Sequence, residues 1–157
     1  MKKLLSFALL LSIACFSNCK VTIITGYDQT LDETVTQMQK DFNLHFIKLQ
    51  RALLTQDGNH DQAYANFQDY YDHLDANIIS VTTRSSFISK KTGTTVKSLA
   101  GNLIKALQDF ESKHKSAENV FNDRTNDDRH GLQDAINTHF DSLILLEEKL
   151  KASGKAK

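Results

Sequence analysis

Apolar side chains recur at steps of three or four along Leu31, Val35, Met38, Phe42, Phe46, Leu49 and Leu53. That spacing puts all of them on one stripe of an α-helix and predicts a first helix there. Thr30 and Glu33 are spaced as a capping box at its start, and Asp57-Gly58-Asn59 reads as a turn beyond its end. The second stripe, Tyr64, Phe67, Tyr71, Leu74, Ile78, Val81, Ser85 and Ile88, keeps a heptad without slip. Asn59 or Gln62 caps this helix in the reading. Lys90-Lys91-Thr92-Gly93 ends it, with cations suited to a helix C-terminus and a glycine to reverse the chain.

Val96, Leu99, Leu103, Leu107 and Phe110 predict a third helix starting near Thr94 or Thr95. Its end is unmarked, because Glu111 to Asn119 is polar without a breaker, and Val120-Phe121 is read as an apolar pair pinning the connection to the core. Asn122 to Arg129 reads as a solvated loop that becomes a helix start, with Asn126 as N-cap and Asp127 and Asp128 in the first turn. The fourth stripe is Leu132, Ile136, Phe140, Leu143, Leu146 and Leu150. The run Leu143 to Leu146 is apolar on too many sides for one seam, and is expected to be the most buried part of the bundle or an oligomer contact.

Four amphipathic helices joined by short turns predict an all-α fold, an antiparallel up-and-down bundle over residues 29–152 with a frayed tail at 153–157. A three-helix bundle with one long hairpin is the nearest competitor. The absence of proline and the presence of only six glycines suit long helices. The four stretches show no internal repeat, which argues against a helical solenoid.

The N-terminus follows another pattern. Met1-Lys2-Lys3 is a short basic start, and Leu4 to Phe16 is an uncharged apolar run matching the n- and h-regions of a secretory signal. An apolar helix of that length rises only about 20 Å, against about 30 Å for a bilayer core, so it is too short to span. The only two cysteines, Cys15 and Cys19, stand where this run stops, in IACFSNCK.

A cysteine directly after such a run resembles the lipobox of bacterial lipoproteins. The resemblance implies a diacylglycerol on the thiol, cleavage just before it, and acylation of the freed amine. Cys15 follows Ser12-Ile13-Ala14; Cys19 follows Phe16-Ser17-Asn18, which is similar to the relaxed lipoboxes of some spirochaetes and Bacteroidota. Anchoring at Cys19 discards Cys15 with a signal peptide of residues 1–18 and leaves no odd thiol in an oxidising compartment; anchoring at Cys15 leaves one. The thiol count therefore favours Cys19 as the lipidation site, with an ordinary signal peptide as the alternative. Residues 19–28 then form the lipidated N-terminus and an extended tether, and two or more acyl chains suffice to hold a small domain on a membrane.

The whole chain resembles the large, mostly uncharacterised class of small helical bacterial lipoproteins, a likeness carried by the signal region. The stretch TGYDQTLDETVTQMQKDFNLHFIKLQR is also similar to a Bacteroidota group. In that phylum acidic residues soon after the lipidated cysteine often signal surface export. Lys20-Val21-Thr22 follows Cys19 instead, so a periplasm-facing position, at the outer membrane, is the expectation.

Charge narrows the partners. Loss of Lys2 and Lys3 leaves 17 basic against 19 acidic residues, a net charge of −2. No basic face for nucleic acid and no polybasic patch for anionic lipid follows from that balance.

Catalytic signatures are absent: no Gly-x-Ser-x-Gly elbow, no phosphate-binding glycine loop, no His-Glu-x-x-His and no Cys-x-x-Cys-His haem attachment. One Glu-x-x-His, Glu111 to His114, falls short of the set needed by a carboxylate-bridged metal bundle, and reads as an exposed polar surface. Asp41 with His45 and Asp69 with His73 are i, i+4 pairs. His45 and His139, each beside a core phenylalanine, could form a functional pair on neighbouring first and last helices, against a default of satisfied boundary histidines. Tyr70 falls off the heptad line of Tyr64, Phe67 and Tyr71, which makes it an exposed candidate for partner contact. The expectation is a non-enzymatic, membrane-tethered module binding another envelope protein, with no cofactor. The alternative is a periplasmic ligand- or metal-binding bundle using histidines and carboxylates.

Overall fold

The computed structural model describes residues 26–55, 57, 61–88, 90–117 and 128–155. The expected signal region with Cys15 and Cys19, the expected tether up to Thr25, the expected caps Asn59 and Asn126, Asp127, and the pair Val120-Phe121 lie outside the described residues. Four α-helices are found among the described residues: α1 (Gln29–Leu53), α2 (Gln68–Phe87), α3 (Lys90–Ala117) and α4 (Asp128–Lys155). A 3-10 turn, Tyr64–Phe67, leads into α2. Each helix packs on two neighbours, α1 on α2 and α4, α3 on α2 and α4, which closes the ring of a four-helix bundle. None of the described helices is long and apolar enough to cross a membrane.

The first stripe is the spine of the core: Leu31, Val35, Met38, Phe42, Phe46, Leu49 and Leu53 are all buried. Phe42 stands at its centre, with its ring 5.5 Å from Phe110 of α3 and 6.1 Å from Phe140 of α4. Covering side chains of this size stabilises by about 1.5–3 kcal/mol each relative to leaving them in water.

Local chemistry departs from the expected caps and boundaries. The N-cap of α1 is Asp28, whose carboxylate accepts from the backbone N–H of Thr30 at 2.9 Å and Leu31 at 3.1 Å, in place of the Thr30–Glu33 box. Asp28 wins because it is also held by Arg84 near the end of α2, whose Nη1 lies 2.9 Å from both carboxylate oxygens. Tyr64 and Phe67 precede α2 in the 3-10 turn rather than belonging to it. Lys90 to Gly93 opens α3 instead of ending α2: the chain reverses at Ile88, which adopts an extended conformation. Gly93 serves close approach, not reversal, since a Cβ there would lie 2.6 Å from the Ile88 carbonyl oxygen.

The run Leu143 to Leu146 is not the most buried part: Leu145 is 56% exposed, while Glu147, four residues after Leu143 and outside the predicted stripe, is fully covered. Ser153 to Lys155 are helical and continue α4, and the rest of the expected frayed tail, 156–157, lies outside the described residues. Between α1 and α4 lies a polar seam in which Asn43 and Asn137 exchange side-chain hydrogen bonds at 3.0 and 3.2 Å, extended by Gln133, Gln39 and Asp141. Such a seam penalises register slips, because each slip would strand amide groups between helices.

At the N-terminal end of α1 the chain docks before the helix begins. Gly26 is buried at φ +98°, a conformation that favours glycine, and a Cβ would meet Thr92 Oγ1 at 2.8 Å. Tyr27 donates to Asp32 at 3.1 Å beneath the Lys151 ammonium, and the Asp28 N–H donates to Glu147 at 3.3 Å.

Candidate functional site

Toward the opposite end, polar atoms are drawn into the bundle interior by residues on the apolar stripes themselves. His45 continues the buried face of α1, Tyr71 that of α2 and His114 that of α3, and all three are buried. They form one hydrogen-bonded chain, and its direction can be deduced from its end. The Gln62 backbone carbonyl can only accept, so His114 donates to it from Nε2. Burial lowers the pKa of His114 and keeps it neutral. Its Nδ1 is therefore an acceptor, and the Tyr71 hydroxyl donates to it at 2.7 Å. The Tyr71 oxygen in turn accepts from His45 Nε2 at 3.2 Å. That assigns His45 the tautomer with its proton on Nε2 and leaves Nδ1 as a bare acceptor, which has no partner.

His45 is 2% exposed, and burial, reinforced by His114 and Lys48, pushes its pKa down to about 3. The ring is stacked on Tyr70 at 3.8 Å and meets Phe67 edge-on at 5.0 Å. Tyr70 also carries a buried hydroxyl without a partner, and its pKa is raised by burial and by Asp41. The exposure expected of Tyr70 is thus corrected: it is half-buried, because stacking on His45 turns its ring into the bundle.

These two side chains line a cleft of about 370 Å³ between α1 and α2. Met38, Leu44, Phe67 and Leu74 supply apolar wall; Asp41, Lys48, Asp69, His73 and Asn77 supply the polar remainder. Both i, i+4 pairs of the sequence, Asp41 with His45 and Asp69 with His73, therefore converge on one site. That volume and mixture suit a small ligand or an inserted side chain.

Other expectations are separated by the fold. His139 lines a smaller recess between α3 and α4 with Asp109, Phe110 and Lys113, so it does not join His45, which faces α2 and α3. The Glu111–His114 stretch is not an exposed surface. His114 is buried, and Glu111 is half-buried and accepts from Tyr64 at 2.6 Å, a bond that leads burial in raising the Tyr64 pKa to about 12. Among the described residues no cluster of three His, Cys, Asp or Glu side chains is placed to hold a metal ion.

One titratable group, at the bundle end that holds Gly26 and Asp28, was missed by the sequence reading. Glu147 is fully covered, and burial raises its pKa to about 7, with the Asp28 N–H opposing and the carboxylates of Asp32 and Asp28 adding. The signal was its position, four residues after Leu143 on the apolar stripe. Comparison with known protein families, curated proteins and solved structures finds no match to this chain, so its function is argued from the site's own chemistry.

Proposed function

We propose that this chain is a lipoprotein of a bacterial cell envelope, anchored through Cys19, whose helical domain is a non-enzymatic module that binds another envelope protein on its α1–α2 face. The observation that carries the binding reading is the α1 rim of the cleft. Leu44, 50% exposed, stands on that rim with Met38, Phe67 and Leu74 in the cleft wall, while Ile47 and Leu54, also exposed, lie outside the lining. An exposed apolar side chain on the rim of a partly apolar cleft is the composition of an interface centre.

A catalytic role finds little support in the cleft. His45 is too weak a base at a pKa of about 3, and burial holds the tyrosines Tyr70 and Tyr71 protonated, whereas acid–base catalysis favours groups poised near the working pH. Anchoring rests on the signal-like N-terminus. With Gly26 to Asp28 docked, only Lys20 to Thr25 would remain as spacer, a reach of about 20 Å. The domain then stands close to the membrane, facing the periplasm in this reading, with the cleft about 24 Å along α1 from the tethered end.

A photo-crosslinking residue placed at Leu44 or Lys48, both in the cleft lining, in cells of the native host should capture one defined envelope protein, and the same residue at Ile79, on α2 outside the lining, should not. Equal capture from all three positions, or none from Leu44 and Lys48, would reject the α1–α2 face as the interface.

A further inference from the structure

We propose that the α1–α2 cleft receives an apolar or aromatic group bearing one N–H or O–H donor, taken up at His45 Nδ1, and that the chain through Tyr71 and His114 to the Gln62 carbonyl fixes this donor preference. The inference deepens the binding reading by naming what enters the cleft. It does not depend on the lipid anchor.

Three observations combine. His45 lines the cleft, is 2% exposed, and keeps Nδ1 without a partner. Burying a polar atom unpaired is costly, so Nδ1 offers a place to a donor that enters from the cleft. The chain then decides what kind of partner. Because the backbone carbonyl at its far end can only accept, every proton along it points from His45 toward Gln62, and Nδ1 has a lone pair but no hydrogen. At Nδ1 an acceptor-only group would meet that lone pair with its own and be rejected, the discrimination that polar pockets achieve best.

The surroundings narrow the group further. Met38, Leu44, Phe67 and Leu74 form a wall for an apolar body, and about 370 Å³ accommodates a bicyclic ring. Lys48 shares the lining with two carboxylates, Asp41 and Asp69, so the cleft is not a cationic pocket built for an anion. An indole or phenol has the required shape and donor, whether as a free molecule or as a Trp or Tyr side chain of the partner.

The test uses the full chain in detergent micelles with ¹⁵N-labelled histidines, titrated with indole and with 1-methylindole, which has nearly the same body but no N–H. The free protein should show His45 protonated on Nε2 and bare on Nδ1. Indole should move the Nδ1 resonance toward its hydrogen-bonded position, and 1-methylindole should bind about tenfold more weakly or worse without that movement. Tyr71→Phe, which cuts the chain and frees the tautomer, should shrink the preference to within about twofold. Should that variant fail to fold, the wild-type tautomer and the matched pair of ligands still decide.

A proton found on His45 Nδ1, equal affinity for the two indoles, or no binding of indole would each overturn the proposal. Indole that, added before irradiation, suppresses crosslinking at Leu44 identifies a partner side chain as the occupant. Indole that binds and leaves crosslinking intact identifies a free ligand. Indole binding with no crosslinked partner would uphold the cleft chemistry while the protein-binding reading falls.

Discussion

Replacing Glu147 by Gln should make the bundle more stable at pH 8 and leave it nearly unchanged at pH 5. Glu147 is wholly covered among Asp28, Asp32 and the end of α4, and its pKa stands near 7 against 4.5 for an ordinary glutamate. A group whose native pKa is raised contributes stability that is complete below the unfolded value and is lost as pH climbs through the native one. The window therefore runs from about pH 4.5 to just above 7. An interval of that width is equivalent to about 3 kcal/mol at most. Glu147 lies close to the bundle end, where water is near and screening reduces the cost, so about 2 kcal/mol is the working figure. Glutamine imitates the protonated acid and keeps an oxygen for the Asp28 N–H. Urea midpoints of the two proteins, measured at half-unit steps from pH 5 to 8, should diverge in favour of the variant above pH 6. Parallel curves across the range would refute the assignment of a buried, neutral-pH carboxyl at this position.

Tyr71→Phe preserves shape but strands His45 Nε2 and His114 Nδ1, both buried, and should lower stability by about 2–4 kcal/mol in denaturant unfolding with an unchanged m-value. Gly93→Ala forces a Cβ against the Ile88 backbone carbonyl and should cost about 1–3 kcal/mol. Gly101→Ala, in open space within α3, should instead raise stability by about 0.5–1 kcal/mol, a contrast that thermal melts can read directly.

The fold was legible because its core is written in a 3.6-residue period, and every position of the first stripe is buried as that period requires. The site was written in the same period and was obscured by residue type. His45 follows Phe42 by three, His114 follows Phe110 by four, and Glu147 follows Leu143 by four, so all three occupy core positions. Read one residue at a time, a histidine between lysines at 113 and 115 looks like solvated surface. Read by register, it belongs inside, and a polar side chain inside needs partners. What a single helix pattern could not supply was pairing across helices: Tyr71 bridging His45 and His114, Tyr70 stacked on His45, or Arg84 holding the α1 cap. The helix boundary at Ile88 was hidden for another reason. Lysine and glycine near a turn favour a helix C-terminus on average, whereas here the glycine is needed for close packing inside the first turn of α3.

The central claim is a binding domain held on a membrane by lipid at Cys19, and intact-mass analysis of the protein extracted in detergent from the membranes of its native host tests it most directly. The account predicts a mass equal to Cys19 to Lys157 plus acyl chains, with the partner retained under gentle conditions. A mass that keeps both Cys15 and Cys19 and carries no lipid would contradict it.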